Sequence, residues 1–165
     1  MAVRKVLTYP NSLLKLESAE IIGITHETKL LIDDMIDTML ESGHSTGIAA
    51  PQIGAATRIV VADASLGRKP SPNHGRLIML NPEIIRHEGS VISREGCMSV
   101  PEYTGNVTRA EKISVQYHDE NFKLRIVEAY GFESILLQHE IDHLDGILFV
   151  DRVISRRTDL FRRKR

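Results

Sequence analysis

Two histidines four residues apart enclose a glutamate in the stretch Gln138-His139-Glu140-Ile141-Asp142-His143-Leu144-Asp145-Gly146. On an α-helix, residues four apart stack on one face, so the imidazoles of His139 and His143 point toward one metal ion. Glu140 lies about 100° further round, beside that metal and not on it. This is the arrangement for a divalent metal that activates water while a carboxylate handles the protons. The bare pattern also occurs by chance on solvated helices, and the remainder of the chain must decide between the two.

A catalytic site of this type has three protein ligands and one open position. In the longer pattern His-Glu-x-x-His-x-x-Gly-x-x-His, the glycine is matched by Gly146, but the last position is Phe149, which cannot ligate. Residues 144–165 contain no glutamate either, so a third ligand has to come from upstream. Cys97, the single cysteine, is the candidate, within Arg94-Glu95-Gly96-Cys97-Met98-Ser99-Val100-Pro101. A metal would hold its thiol deprotonated at neutral pH. The alternative is an inert buried cysteine.

The elements that must position these groups are read from periodicity. A late helix from residue 131 or 132 to about 144 carries the histidines, with Phe132, Ile135 and Leu136 on their face and Leu137, Ile141 and Leu144 opposite. Being apolar nearly all round, it is expected to run through the middle of the domain, where two histidines and a glutamate need a polar partner. An amphipathic helix is predicted over residues 26–41, with Thr25 as N-cap and Gly43 as its stop. Strands are predicted at 57–63, 77–81, 83–87, 90–94, 112–118 and 124–129, and a surface loop at 65–75. Asn81-Pro82, His87-Glu88-Gly89 and His118-Asp119-Glu120-Asn121 are read as breaks between them. Short strands between one early and one late helix indicate an α+β fold with a largely antiparallel sheet. The small-residue run from Ser45 to Gly54, which includes Gln52, reads as a substrate-facing wall or as a tight loop.

With 165 residues, 42% apolar and 26% charged, the chain is expected to form one catalytic domain, residues 1–150, followed by a short basic tail, 151–165. That tail holds seven basic and two acidic residues, a net +5, which leaves −6 on the first 150. It is a candidate handle for phosphate-rich partners, and a solvated terminus gives the same charge. The N-terminal residues lack the apolar run of a signal peptide, no stretch approaches the roughly 20 apolar residues of a membrane span, and a lone cysteine suits a reducing compartment. A cytoplasmic monomer without membrane partners is expected. No glycine-rich phosphate loop is present, which disfavours nucleotide binding.

Three motifs, taken in order, carry a resemblance. Gly47-Ile48-Ala49-Ala50-Pro51-Gln52, Glu95-Gly96-Cys97-Met98-Ser99 and Gln138-His139-Glu140-Ile141-Asp142-His143-Leu144 resemble those of the peptide deformylases, and the similarity extends through Ser99-Val100-Pro101 and Val107-Thr108-Arg109-Ala110-Glu111-Lys112. The resemblance implies a hydrolase that removes the N-formyl group from the initiator methionine of nascent polypeptides and releases formate. It further implies Cys97, His139 and His143 as ligands of one divalent ion, Fe(II) foremost, with Zn(II) or Ni(II) as substitutes. Water activated at that ion attacks the formyl carbon, and Glu140 acts as general acid and base. Gln52 and the backbone N–H of Met98 hold the oxyanion. Thr46, Gly47 and Gly96 lie along the substrate, with Phe132, Ile135 and Leu136 lining a pocket for the methionine side chain. Glu95 and Arg109 form a charged pair that orients the cysteine segment.

Two positions depart from the family pattern. Its first motif begins Gly-hydrophobic-Gly, where this chain has Ser45, Thr46 and Gly47, so a narrower or more polar pocket and a weakened enzyme form one alternative reading. A metallopeptidase is another, and a non-catalytic binder of formylated chains a third. His44, His26, His74, His87 and His118 lack ligand spacing and are read as surface residues. The basic tail is a candidate contact with the ribosome surface.

Overall fold

Ile59–Asp63 (β2) is buried along its whole length because a helix covers each face of its sheet. Side chains alternate across a strand, so Val60 and Ala62 pack with Leu137, Ile141 and Leu144 of α2 (Gly131–Leu144), while Ile59 and Val61 pack with Ile32, Met35 and Met39 of α1 (His26–Glu41). Both helices were legible in the sequence. Thr25 caps α1 reciprocally with Thr28, and Gly43, at φ +77°, turns the chain away at its end.

The computed structural model describes residues 2–163. Its larger sheet adds β1 (Gly47–Ala49), β3 (Arg76–Glu88), β6 (Lys112–His118) and β7 (Leu124–Tyr130) to β2, in the order β1-β2-β3-β6-β7, with every neighbouring pair antiparallel. A second antiparallel sheet has the order β4-β5-β8, formed by Val91–Cys97 (β4), Val100–Arg109 (β5) and Leu160–Arg162 (β8). A short helix, α3 (Phe149–Arg152), closes the core of this second sheet, where Phe149, Leu14, Leu148, Val100 and Val107 are buried together. The α+β architecture with antiparallel sheets around a buried late helix is the one expected.

Three local expectations are corrected. Asn81-Pro82 does not end a strand. Asn81 takes a left-handed conformation, φ 52°, inside β3, and its amide exchanges hydrogen bonds with the backbone of Ile21 at 2.8 and 2.7 Å. Asparagine tolerates that backbone geometry, so the strand continues through an irregularity and uses it to anchor the N-terminal segment. The strand expected at 90–94 continues to Cys97, and the residues after it form β5 and a tight hairpin that periodicity did not disclose. His118 is not a plain surface residue: it is half-buried, and its ring stacks on Phe122 with centroids 4.4 Å apart. His74 is exposed but committed, since its Nδ1 and backbone N–H both meet the buried carboxylate of Glu133, at 2.5 and 2.8 Å.

Leu137 is fully buried between α2 and the larger sheet. Leu137→Ala is expected to cost about 2–5 kcal/mol, read as a lower urea midpoint at unchanged slope.

Candidate metal centre and active site

The centre of the site is the meeting of α2 with the tip of the β4–β5 hairpin. Only Met98 and Ser99 separate the paired residues Cys97 and Val100, and the register slips between Glu95 and Cys97, so the strand bulges at Gly96 just before the cysteine. The Cys97 sulfur accepts from the Ser99 backbone N–H at 3.4 Å and from Gln52 Nε2 at 3.5 Å. Opposite it, His143 Nε2 lies 3.4 Å from the sulfur, and ligating atoms of Cys97, His139 and His143 all fall within 4.8 Å of one another.

Those separations suit one cation. Bonds of about 2.3 Å to sulfur and 2.0 Å to nitrogen in a tetrahedron place neighbouring ligand atoms about 3.5 Å apart. His139 Nδ1 is engaged by Glu95 Oε1 at 2.9 Å, which leaves Nε2 as the coordinating atom. Burial disfavours charge on His139, yet the neighbouring Cys97 sulfur and Glu95 carboxylate outweigh it and raise its proton affinity well above the ordinary value. The same surroundings attract a metal ion. His143 has no partner on Nδ1, and burial keeps it neutral, the form that ligates.

Behind the ligands runs a buried chain of charges. Arg109 Nε and Nη2 donate to both oxygens of Glu95 at 2.8 Å, and its Nη1 donates to Asp142 at 2.7 Å. Asp142 also accepts from Arg152 Nε and Nη2, at 2.6 and 3.0 Å. Burial pushes the Glu95 carboxyl up, but the hydrogen bonds from Arg109 and His139 prevail and hold it at about 2. Asp142 and Arg152 went unassigned in the sequence reading. The signal was present, because a carboxylate on an otherwise apolar buried helix requires a cationic partner. Gln138 secures the same junction by closing a two-way amide bond with the backbone of Ala110, both arms 2.9 Å.

Glu140 sits on the cavity side of α2. One of its oxygens, Oε1, is buried without a hydrogen-bond partner, and burial pushes the carboxyl up to about 7. The first strand runs directly past it: a Cβ at Gly47 would stand 2.7 Å from Glu140 Oε2 and 2.9 Å from Leu136 Cδ1. Only glycine lets β1 approach so closely. Gln52 is fixed from both ends, its Oε1 accepting from Ala49 N–H at 2.9 Å and its Nε2 donating to Ser99 Oγ at 3.0 Å. Ser99 is a third site residue, after Asp142 and Arg152, whose role its own position in the sequence does not disclose.

Gly47, Gln52, Glu95, Cys97, His139 and Glu140 line one cavity of about 690 Å³, together with Thr46, Gly96, Met98, Phe132, Ile135 and Leu136. Every expected substrate-side residue therefore reaches the same space, and His44 stands at its edge. The Ser45 hydroxyl turns to the Gly47 carbonyl at 2.7 Å, so of the two departing positions Thr46 presents the side chain with no hydroxyl bond of its own among the described residues.

A family model described as polypeptide deformylase matches residues 3–159. The chain belongs to the peptide deformylase family. A peptide deformylase of Thermodesulfovibrio yellowstonii is 40% identical over 164 residues, 99% of this chain and 97% of that protein. Peptide deformylase 1 of Bacillus subtilis is 40% identical over 153 residues, 93% and 91% of the two chains. Among solved structures, a class I type b peptide deformylase from Acinetobacter baumannii bound to Met-Ala-Ser superposes with a TM-score of 0.84 at 33% identity, covering 92% of this chain and 99% of that one. A peptide deformylase from Legionella pneumophila gives 0.84 at 37% identity, over 92% and 86%. Fold and family agree with the resemblance read from the three motifs, and the chain is an enzyme of the deformylase type.

The Glu95–Arg109 pair predicts acid lability. Because the folded carboxyl is held at about 2 against an ordinary 4.5, its contribution is complete above about 4.5 and is lost as the pH falls toward about 2. That contribution is of order 3 kcal/mol. Glu95→Gln is expected to flatten the fall of unfolding free energy across this window. At pH 7 it should destabilise by about 3–5 kcal/mol, because Arg109 loses its buried counter-ion. Urea denaturation at a series of pH values measures both.

Proposed function

We propose that this protein removes the N-formyl group from the formyl-methionine that begins nascent polypeptides, with Cys97, His139 and His143 holding one divalent metal ion. The observation that carries the reading is the convergence of these three donors, two of which, Cys97 and His139, open on the same cavity as a buried, unpartnered Glu140. Fe(II) is the ion we assign, and Zn(II) and Ni(II) suit the same thiolate and imidazole donors. When bound, the ion supplies Lewis acidity to the formyl oxygen and acidity to a water beside it.

Glu140 takes a proton from that water as its oxygen bonds to the formyl carbon, and returns a proton to the methionine nitrogen as the C–N bond breaks. Formate and a free amine result. A carboxyl that burial has brought to about 7 is suited to both transfers. The oxygen that gains charge meets Gln52 Nε2 and the Met98 N–H. For Gln52 the long 3.5 Å contact with sulfur is the bond it gives up, while its 3.0 Å bond to Ser99 keeps the amide aimed. Phe132, Ile135 and Leu136 offer the apolar surface for the methionine side chain, and Thr46, Gly47 and Gly96 flank the backbone that follows. Glu95 and Arg109 orient His139 and the cysteine strand.

Residues 1–150 act as one catalytic domain, a monomer of the cytoplasm, followed by the short basic tail 151–165. No helix among the described residues is long and apolar enough to cross a membrane. For the basic tail a ribosome contact rests on charge alone, and several of its cations are engaged on the protein: Arg152 on Asp142, Arg156 beside Asp151 at 3.7 Å, Arg162 over the Tyr103 ring at 5.9 Å. Salt-sensitive co-sedimentation with ribosomes that survives removal of residues 156–165 would exclude that contact.

Protein purified anaerobically is expected to contain about one metal ion per chain and to release formate from formyl-Met-Ala-Ser. Glu140→Gln should keep the metal and lose about 100- to 10,000-fold in kcat. Cys97→Ser should lose the metal itself, read by elemental analysis. Gly47→Ala displaces the Glu140 carboxylate and should lower kcat about 100-fold with metal content intact. Formate release undiminished in Glu140→Gln would overturn the assignment of the proton carrier.

A further inference from the structure

The outer rim of the cavity is cationic without an internal reason. Arg68, Arg94 and Arg163 all line it, all three are exposed, and none forms an ion pair among the described residues. The carboxylates lining the same cavity are Glu95 and Glu140. Glu95 is consumed by Arg109 and His139, and Glu140 is buried against Gly47. Like charges at one mouth repel one another, so the arrangement has an electrostatic cost that an incoming carboxylate relieves.

Two of these arginines are held in place. The Arg94 guanidinium lies 3.7 Å over the Phe161 ring, with Nε on Asn106 Oδ1 at 3.2 Å and Nη1 on Thr104 Oγ1 at 3.3 Å, which leaves Nη2 uncommitted. Arg163 follows β8, whose pairing of Tyr103 with Arg162 and Thr104 with Phe161 lays the tail on β5, and its backbone N–H donates to the Glu102 carbonyl at 2.8 Å. Its side chain then crosses Gly96, where a Cβ would collide with the guanidinium. Gly96 adjoins Cys97, so this cation stands within a residue or two of the proposed reacting centre. An extended peptide advances about 3.3 Å per residue, which brings the side chains just after methionine to this rim.

We propose that the rim selects formyl-methionyl chains that carry a carboxylate in the second or third residue, with Arg163 and Arg94 receiving it. The inference rests on the deformylase reading and adds a specificity that the ligand set does not contain. It also gives the tail a task within the site: β8 delivers a substrate-reading side chain.

The test compares formyl-Met-Ala-Glu, formyl-Met-Ala-Gln and formyl-Met-Ala-Lys, and the same three residues at the second position. All are amidated at the C-terminus, so the varied side chain carries the sole carboxylate. At low ionic strength kcat/KM for a Glu peptide is expected to exceed that for its Gln counterpart by about three- to tenfold, mainly through KM, with Lys lower still. The advantage should shrink toward one in about 0.5 M salt, a measurement on the wild-type protein that needs no variant. Arg163→Gln should reduce it, Arg163→Lys should retain part of it, and Arg163→Glu should favour the Lys peptide. Formate release from Glu and Gln peptides at equal kcat/KM would overturn the rim proposal and leave the deformylase reading standing. A preference unchanged in Arg163→Gln and in Arg94→Gln would overturn the assignment to these residues. No formate from any of the peptides with metal-replete protein would overturn both readings.

Discussion

Arg109 is the residue through which the two halves of the site hold one another. Its guanidinium is buried, it is shared by a carboxylate from the hairpin and one from α2, and it sits behind the histidine that both sides need. An isolated cation in such a place would be prohibitive, and so would either carboxylate alone. Together they are satisfied only when β4, β5 and α2 meet in one geometry, and Gln138 and Arg152 tie off the same junction from the helix side. The ligand positions are by-products of that closure. Cys97 is aimed by the bulge at Gly96, next to Glu95, and His139 by the carboxylate that Arg109 holds.

The small-residue wall works by the opposite means. Where the ion network excludes alternatives by charge, Gly47 does so by having no side chain, which lets a sheet edge lie against an unpaired carboxylate. Glu140 thereby remains buried, proton-avid and unsatisfied, a state the packing around it must tolerate. Ser45 and Thr46 leave this contact untouched, since Ser45 spends its hydroxyl on the Gly47 carbonyl and Thr46 looks into the cavity. The departures from the family motif therefore bear on what enters the pocket. They do not bear on the proton carrier.

What could be read from the sequence follows from which forces leave a local imprint. The helices of His26–Glu41 and Gly131–Leu144 were legible because a 3.6-residue apolar period and capping residues are written into adjacent positions. The metal donors were legible because ligand chemistry permits few residue types. β5 was not, since Val100–Arg109 alternates poorly and carries a proline and a glycine, and its strand character comes from pairing with β4 on one side and β8 on the other. Asn81-Pro82 misled for a related reason: turn-forming residues can also serve a bulge when a distant segment, here Ile21, supplies their partners. Asp142 announces its need of a cation by its place on a buried apolar helix but not which one, since Arg109 lies 33 positions away, and the side-chain partners of Arg152 and Ser99, Asp142 and Gln52, are 10 and 47 positions off.

The shortness of the β4–β5 turn bears on how a bound ion would come and go. With only Met98 and Ser99 beyond it, Cys97 has no slack with which to swing aside while the ladder stays zipped. Withdrawing the sulfur means peeling the hairpin end and releasing the Ser99 amide and the Gln52 side chain together. Ion escape is thus coupled to a local unfolding event, and occupancy in turn resists that event by mass action. Amide hydrogen exchange at the hairpin tip and metal off-rate become two views of one opening.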